Sequence, residues 1–589
     1  MGRHTIDLFM WGYQAHFRAS LQIRAEWTFG KLDPGFEVEV FLLGLLRGED
    51  KTLHPVCLEP EECGFSPSDF LSVRADVASY LALDGERNLI STTEAGDDAI
   101  RGRRNFRAVR AAVLKALQGG FERRDRSYFF SGFAPVDQYD VGVVLSLKHK
   151  DGLEGYRLPK SHADDRFRVP LSIVEAVAEE FLQGCLESLH VPQPTLVTDW
   201  RGHREEEILR QAANRLMELP NFAAGSFEGL YGLFSACNFI SSLTYEGGES
   251  VGSMIVAPAE HPNVRSTLQL VNPVRLQKYR ATRKLLEIAT RGDSIISDGA
   301  HVTGFGKMVG NYDQARSDLF LIRFSGHHQW ELLHGDHLMM RVRQELPRLA
   351  VPPINRADFF SRFKVLIPDL SRVKVGSLFD LALSACSQRS GTILVITPSA
   401  KDEARRLAAQ GTMIVPTVAS SSMLDSVTSI DGAVLLDVDG VCHAIGVILD
   451  GLAVENGDSG RGARYNSTLR YIAAMREKGI ACIGIVVSED GTAEIMPRLP
   501  RQISRDLVVQ KESEMDQMLG TSFDLEKGFG LIKWLDENRF YLSEIACDKA
   551  NRFCVKHNEE LWKDRGMQIH RVEFKRDPEM SDAFFAETP

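Results

Sequence analysis

Apolar and polar segments alternate along residues 360–500 of this chain, and the two kinds of segment predict strands and helices in turn. Short continuous apolar runs are typical of buried strands, whereas apolar positions repeated every three or four residues are typical of helices packed on one face. The predicted strands are Thr392–Thr397, a pair within Asp431–Leu449, and Ala481–Val487. The predicted helices are Val375–Gln388, Ala400–Gln410 and Ser467–Lys478. This alternation predicts the α/β fold class, with helices flanking a mixed sheet.

The same patterns divide the chain into five regions. Near the N-terminus, strand-like runs at Val38–Leu46 and Val141–Leu147 accompany one helix at Asn105–Leu117. Two more helical patterns follow at Val174–Leu189 and Glu205–Leu219. We therefore expect an additional N-terminal α+β domain of unknown role over residues 1–150, a helical connector over 151–220, an α+β region over 221–350, the α/β domain over 360–500 and a helical C-terminal region over 501–589.

Composition limits the location and the partners of the protein. The 589-residue chain has a formal net charge of −11 and a pI of about 5.9, which does not favour general binding to nucleic acid. No apolar run approaches the ~18 uninterrupted residues of a membrane span, and the N-terminus lacks the apolar core of a secretion signal. The nine cysteines form no Cys-x-x-Cys pair. We expect a cytoplasmic protein with reduced thiols, no membrane segment and no indicated nucleic-acid partner.

Three other sequence features each allow two interpretations. The arginine-rich stretch from Arg101 to Arg110 could contact phosphates, but the acidic chain favours a solvated helix face. The segment from Gly326 to His337 is rich in histidine, yet its spacing matches no standard zinc site, which favours a structural role. A run of Asp-Gly-Ala begins at Asp298 and is either a degenerate copy of the run at Asp431 or a coincidence.

Candidate chemistry lies in the α/β domain, where Asp431 precedes Gly432 and Ala433 at the entrance of a predicted strand. Small neighbours let a ligand approach the backbone closely. An exposed carboxylate at such a position can hold Mg²⁺ or Mn²⁺ against a triphosphate. The alternative is an ordinary turn, in which Asp-Gly pairs are common.

A glycine-bearing loop runs into the next predicted helix. It contains Arg461, Gly462, Ala463, Arg464, Tyr465 and Asn466. Backbone N–H groups at a helix start, two flexible glycines (Gly460 and Gly462) and two arginines can form a cradle for phosphate oxygens. A capped helix with surface arginines is the alternative. Further along, Ser488 and Glu489 end a buried strand in a polar turn.

The order and spacing of these pieces resemble the diadenylate cyclase domain of the DNA-integrity scanning protein DisA and its relatives. Asp431-Gly432-Ala433 resembles the family's Asp-Gly-Ala motif, and Gly462 to Asn466 resemble its Gly-Thr-Arg-His-Arg motif. Residues 487–491 resemble its Val-Ser-Glu-Glu-Thr-Gly turn. More broadly, residues 227–500 resemble DisA-related proteins described as probable nucleotide sensors in bacterial defence against invaders.

In that family two domains face each other, and each holds one ATP and a divalent metal ion. The resemblance implies that Asp431 is a catalytic, metal-bound carboxylate and that Arg464 is a catalytic phosphate contact. It also implies nucleotide contacts from Gly432, Ala433, Arg461, Gly462, Ala463, Tyr465, Asn466, Ser488 and Glu489. Tyr465 and Asn466 stand where the family has a histidine and a second arginine.

Two functions follow from the resemblance. The first is a metal-dependent diadenylate cyclase or related nucleotidyltransferase that makes a cyclic dinucleotide from ATP, with Mg²⁺ or Mn²⁺ as cofactor. The alternative is a catalytically inactive nucleotide sensor in a bacterial anti-phage signalling system, which the lost arginine favours because it removes transition-state charge stabilisation. Both imply ATP or another purine nucleotide as ligand, a homo-oligomer, and a protein partner bound through residues 1–220.

Overall fold

Two compact units make up the chain, and we call them unit 1, Met1–Val351, and unit 2, Pro352–Pro589. Unit 1 contains two sheets and unit 2 one, all flanked by helices, so the expected α/β fold class is confirmed. The finer division into five regions stays a prediction. The computed structural model describes residues 8–48, 50, 52–118, 126–149, 153, 156–158, 169–191, 193–195, 200–225, 232–244, 251–289, 293–335, 337–350, 353–386, 391–427, 431–453, 457–458, 461–488, 493–500, 502–520, 523–566, 568–569 and 571–585.

Unit 1 begins with an antiparallel four-stranded sheet and the helices around it. The strands are β1 (Phe36–Leu46), β2 (Val56–Glu59), β3 (Ser127–Val136) and β4 (Tyr139–His149), in the order β2-β1-β4-β3. The helices are α1 (Gln14–Leu32), α2 (Val73–Leu83), α3 (Glu94–Gln118), α4 (Ile173–Leu189), α5 (Glu205–Leu216) and α6 (Glu218–Ala223). Successive side chains of a strand point to opposite faces, so both faces of β1 can be buried. Phe41 and Leu43 accordingly pack with α2 and α3, whereas Val40 and Leu42 pack with α1 and α4.

A second sheet of eight strands completes unit 1. Its strands are β5 (Val251–Val256), β6 (Val264–Arg275), β7 (Ser294–Ser297), β8 (His301–Met308), β9 (Phe320–Gly326), β10 (Gln329–His334), β11 (His337–Arg343) and β12 (Leu346–Leu349). The strand order is β12-β11-β10-β9-β5-β7-β8-β6, with helices α7 (Leu233–Ser242) and α8 (Tyr279–Ala289) beside it. The terminal strand β6 is mostly exposed, and Pro273 lies where its pairing with β8 shifts register, between Gln269 and Val274.

The sheet of unit 2 has six strands and helices on both faces. The strands are β13 (Thr392–Ile396), β14 (Thr412–Val418), β15 (Ala433–Leu436), β16 (Val441–Val447), β17 (Ile483–Val487) and β18 (Ala493–Met496), in the order β14-β16-β15-β13-β17-β18. The helices are α9 (Arg356–Leu366), α10 (Arg372–Cys386), α11 (Ala400–Arg406), α12 (Ser421–Val427) and α13 (Ala463–Glu477). Leu394 and Ile396 pack toward α9 and α10, while Ile393 and Val395 pack toward α13.

The C-terminal part of unit 2 is helical, as the sequence predicts. It consists of α14 (Arg505–Gly520), α15 (Leu525–Glu537) and α16 (Glu544–Arg565). These helices share a small core in which Met515, Ile532 and Phe553 are buried. His557 of α16 is also buried, and its ring lies against the rings of Phe523 and Phe529. Across the described part of the chain, none of the helices combines enough length with enough apolar character to cross a membrane.

The arginine-rich stretch lies on α3, and its charges are largely paired. Arg104 and Arg107 both contact Asp84, at 3.3 and 3.0 Å. Arg110 Nη1 lies 2.9 Å from Glu179 Oε1 on α4. Because the carboxylates of neighbouring elements neutralise these guanidinium groups, the helix offers little free positive charge to a phosphate backbone. The structure therefore favours the helix-face interpretation.

Candidate functional site

The strand pairing of unit 2 places several of the sequence-predicted residues at one end of its sheet. β13 and β15 run parallel, with Ile393 opposite Ala433. β17 runs antiparallel to β13, with Val487 opposite Thr392. The starts of β13 and β15 and the end of β17 therefore lie together. Asp431 and Gly432 immediately precede β15 and Ser488 follows β17, so all three lie at this end of the sheet, whereas Glu489 lies outside the described residues.

Gly432 is required by the backbone at this position. Its φ angle is +120°, in the region that residues with a side chain rarely adopt. A Cβ atom at Gly432 would also lie 2.4 Å from the carbonyl carbon of Gly446, near the end of β16. The backbones of Gly432 and Gly446 can therefore pack directly against each other. Ala433, the next residue, is the first residue of β15 and is buried.

Helix α13 begins beside this point. Gly462 is its N-cap residue, has an extended backbone and supplies no side-chain hydrogen bond to the helix. The first turn contains no acidic residue and begins with Ala463. The N–H groups at a helix start carry a partial positive charge, which favours a bound anion when no side chain neutralises it. The other side of the helix holds it in place, because Tyr471, Ile472 and Met475 pack on the sheet.

Arg464, in the first turn of α13, connects the helix to the start of β15. Its Nη2 atom donates a hydrogen bond to Asp431 Oδ1 at 2.8 Å. The Asp431 side chain is 91% exposed and that of Arg464 is 31% exposed. An ion pair this exposed contributes only ~0–1 kcal/mol. Another anion could therefore replace the carboxylate at the guanidinium group with little loss of stability.

Arg461 and Asn466 organise the loop before the helix. The guanidinium group of Arg461 lies 4.7 Å from the centre of the Tyr465 ring and forms an ion pair with Glu494 of β18. Asn466 Nδ2 donates to the backbone carbonyls of Asp458 and Arg461, each at 2.8 Å. The amide of Asn466 thus fixes the loop from within, a role that its sequence position did not indicate.

Two interactions around this loop were not found from the sequence. Arg498 Nε donates to Glu494 Oε1 at 2.6 Å, so Glu494 lies between Arg498 and Arg461. Nothing in the local sequence links these residues, because the β17–β18 pairing brings Glu494 to the site. We call Asp431, Gly432, Arg461, Gly462 and Arg464 the loop–helix site.

A buried polar network lies on the side of α13 that faces the sheet. The hydroxyl of Tyr471 donates to Glu403 Oε2 at 2.7 Å, and Arg406 of α11 contacts both Glu403 and Asp450. Burial raises the pKa of Tyr471 far above its usual range. Burial would also raise the pKa of Glu403, but hydrogen bonds from Arg406 and Tyr471 outweigh it and hold the pKa below the ordinary value. This network ties α13 to α11 and so fixes the helix start at the site.

The histidine-rich segment of unit 1 serves packing. Trp330 is fully buried, stacks edge-on against Phe234 and donates from Nε1 to Asn238 Oδ1 at 2.8 Å. His334 Nε2 lies 2.7 Å from the carbonyl oxygen of Arg316. Within the described ranges, no group of three or more His, Cys, Asp or Glu side chains could hold a metal ion.

Comparison with known families shows two matches, and both describe probable sensor domains. Residues 10–217 match the model described as "Probable sensor domain DACNG". Residues 231–336 match the model described as "Probable sensor domain DACNH". Both stretches lie in unit 1. No curated protein is similar enough to match the chain.

These findings correct the expected relationship to the DisA diadenylate cyclase domain, which is wrong. The matched models are probable sensor domains and not a cyclase catalytic domain, and they cover residues N-terminal to 360–500. The supporting motifs were short, and two of them have a local structural reason, while residues 489–491 of the third lie outside the described residues. Gly432 is required by its positive φ, and Gly462 lies at a helix start, where such residues occur in many unrelated folds.

Proposed function

We propose that the protein is a nucleotide sensor in which the loop–helix site of unit 2 binds the phosphates of ATP or another purine nucleotide. The observation that carries this proposal is the 2.8 Å contact between Arg464 and Asp431, which are 33 positions apart in the sequence. It joins a glycine-bearing strand entrance to a helix start. The matches to probable sensor domains in unit 1 support the sensing role.

The site offers two kinds of group that favour phosphate. Arg464 and Arg461 present planar guanidinium groups, which bind phosphate oxygens through paired hydrogen bonds. The start of α13 adds backbone N–H groups and no acidic residue in the first turn. Gly432 contributes indirectly, because its lack of a side chain lets the backbone of Gly446 pack against the start of β15. On binding, phosphate would replace Asp431 as the partner of Arg464.

A divalent metal ion fits this site only together with the nucleotide. Asp431 is exposed to solvent, whereas the neighbouring carboxylate of Glu494 is paired with Arg461. Mg²⁺ usually keeps several water ligands and uses one or two carboxylates together with substrate phosphates. We therefore include in the proposal a contact from Asp431 to Mg²⁺ or Mn²⁺ carried by the nucleotide, rather than to a resident ion.

Isothermal titration calorimetry with ATP, with and without Mg²⁺, tests the proposal on the full chain. We expect wild type to bind ATP and Arg464→Gln to bind it about 10- to 100-fold more weakly, because a hydrogen bond to a charged group contributes ~1.5–3 kcal/mol. For a sensor, chromatography after the titration should recover ATP unchanged.

Arg405→Gln is the matched control. Arg405 is paired with Asp402 on α11, which follows the opposite end of β13. This variant should bind ATP as wild type does. Absence of ATP binding by wild type, or equal affinity of the Arg464 and Arg405 variants, would contradict the proposal.

The proposal also includes the oligomeric state, the partner and the cellular role that we expect from the sequence. A homo-oligomer, a protein partner bound through residues 1–220 and a cytoplasmic role in bacterial defence signalling are its remaining parts. A molar-mass measurement by light scattering, with and without ATP, tests the first of these, and a strict monomer under both conditions would remove it.

A further inference from the structure

Unit 1 contains a cavity of about 500 Å³ on the face of its first sheet that α2 and α3 cover. Pockets for small organic ligands typically measure ~300–1,000 Å³. The wall is polar and apolar in nearly equal measure, and its apolar part comes from the side chains of Leu45, Val73, Val77, Phe106, Val109 and Leu186. All of these residues lie within the stretch that matches the first probable sensor domain.

The charged residues that line the cavity are Arg74 and Asp140, which form an ion pair. Arg74 Nη2 donates to Asp140 Oδ2 at 3.0 Å and to the carbonyl oxygen of Leu46 at 2.8 Å. Arg47 Nε lies 3.9 Å from the other oxygen of Asp140, so two guanidinium groups share one carboxylate. In the part of the chain that the structure describes, Nε and Nη1 of Arg74 contact no acceptor. They remain available to an anionic group in the cavity.

A distortion of β3 shapes the same cavity. The pairing of β3 with β4 shifts register between Phe130 and Phe133, which marks a β-bulge. At the bulge Gly132 has a φ of +92°, and a Cβ atom there would lie 3.1 Å from the ring of Phe106. The hydroxyl oxygen of Ser131 accepts a hydrogen bond from the backbone N–H of Val143 at 2.9 Å. Bulges re-aim strands and are over-represented next to functional sites.

We propose that this cavity binds a small organic anion that combines a flat apolar body with one anionic group. The body would lie against Phe106 and the aliphatic side chains, and the anionic group would accept hydrogen bonds from Arg74. Asn105 also lines the cavity, and within the described residues its side-chain amide forms no hydrogen bond, so it can recognise a polar edge of the ligand. This site is independent of the loop–helix site and of the nucleotide proposal.

Fluorescence titration of the full chain with 8-anilinonaphthalene-1-sulfonate tests the cavity, since this probe combines a flat naphthalene ring with one sulfonate. Wild type should bind it at a saturable site. Gly102→Trp should weaken binding at least about tenfold, because the indole would occupy the cavity. A Cβ atom at Gly102 meets no atom within 4 Å, so the helix can accept the larger side chain.

The matched control is Gly30→Trp in α1. A Cβ atom at Gly30 also meets nothing within 4 Å, and this residue does not line the cavity. It should bind the probe as wild type does. Absence of saturable binding by wild type, or equal binding by the two tryptophan variants, would overturn the proposal.

A second variant tests the charged end without filling the cavity. Arg74→Gln should weaken binding of the sulfonate probe about tenfold and leave binding of its uncharged analogue, N-phenyl-1-naphthylamine, unchanged. An equal effect on both probes would show that Arg74 does not recognise the anionic group and would overturn that part of the proposal. The variant also serves as the test if Gly102→Trp does not fold.

Discussion

Units 1 and 2 each contain the three residues Asp-Gly-Ala, and the two copies have different partners. In unit 1, Asp298 Oδ1 accepts hydrogen bonds from the backbone N–H groups of Ala300 and His301, at 2.8 and 2.7 Å. That carboxylate closes the turn between β7 and β8. In unit 2, Asp431 is exposed and contacts Arg464 of a distant helix. The same short sequence is therefore a turn in one unit and part of a candidate binding site in the other.

The two copies also occupy different places in their sheets. The run at Asp298 lies between two strands that pair antiparallel, β7 and β8. The run at Asp431 lies before β15, whose neighbour β13 is parallel to it. These different places favour coincidence over an internal repeat. A motif of three residues thus indicates a backbone requirement, while its function depends on residues far away in the sequence.

The largest expected effect comes from giving each glycine of these runs a side chain. Gly432→Ala should destabilise its surroundings by about 3 kcal/mol, because the new Cβ would overlap the backbone of Gly446 and the φ of +120° is strained for alanine. Gly299→Ala should cost less, about 1–2 kcal/mol, because its φ is +91° but the overlap is with the Asn221 side chain.

Hydrogen–deuterium exchange of the full chain, resolved by peptide, measures both changes. Faster exchange should be confined to β15 and β16 in the first variant and to β7 and β8 in the second. If Gly432→Ala exchanged as slowly as wild type, the close approach of the two backbones would not exist in solution.

A smaller effect should separate the two aspartates. Asp298→Ala removes two hydrogen bonds to backbone N–H groups and should destabilise the β7–β8 turn by about 1–2 kcal/mol. Asp431→Ala removes an exposed ion pair and should change stability by less than about 0.5 kcal/mol. The same exchange experiment compares the destabilisation by the two substitutions, and ATP titration compares the nucleotide affinity of the two variants. Equal destabilisation by the two substitutions would remove the distinction between turn and site.

The smallest effect concerns one buried histidine in each unit. Burial lowers the pKa of both His334 and His557. His334 has hydrogen-bonding partners in Tyr312 and Arg316, whereas the polar partner of His557 is the backbone of Leu525. When the pKa of a histidine in the folded state lies below its unfolded value of about 6.5, the full stability of the fold is present above about pH 6.5, where the ring is neutral in both states. As the pH falls below this value, the unfolded chain takes up a proton more readily than the folded one, and the free energy of unfolding decreases.

His557→Phe should therefore reduce the acid sensitivity of the C-terminal helices. We expect a smaller fall in melting temperature between about pH 7.5 and about pH 5.5 than in wild type, since the phenyl ring cannot take up a proton. His334→Phe is the comparison, and it should also disturb the contacts with Tyr312 at neutral pH. An unchanged pH dependence in His557→Phe would show that this histidine does not titrate on unfolding in that range.

Much of the local structure of residues 360–500 was predictable from the sequence. The strands β13 and β17 are continuous buried apolar runs, and the predicted helix Val375–Gln388 corresponds to α10. The edge strand β14 was missed because Pro416 interrupts its short apolar run, Met413–Val415. A proline argues against a central strand, although an edge strand can accommodate one.

The candidate sites were less predictable because their contacts are long-range. The sequence indicated Asp431 and Arg464 separately, but the loop-fixing role of Asn466 depends on where the loop folds back on itself. The cavity of unit 1 combines α2, α3, α4 and a bulge in β3, and no local pattern links these elements. The predicted relationship to the cyclase domain was wrong because short local motifs were taken as evidence for a whole domain.

Pro273 and Pro416 have a consequence for how the protein behaves in a crowded solution. Each lies at a register shift in the terminal strand of its sheet, β6 in unit 1 and β14 in unit 2. Proline has no N–H group, so each of these edge strands lacks one hydrogen-bond donor that a further strand would need in order to pair with it. Exposed sheet borders are templates for aggregation, and these two prolines make both borders poor templates.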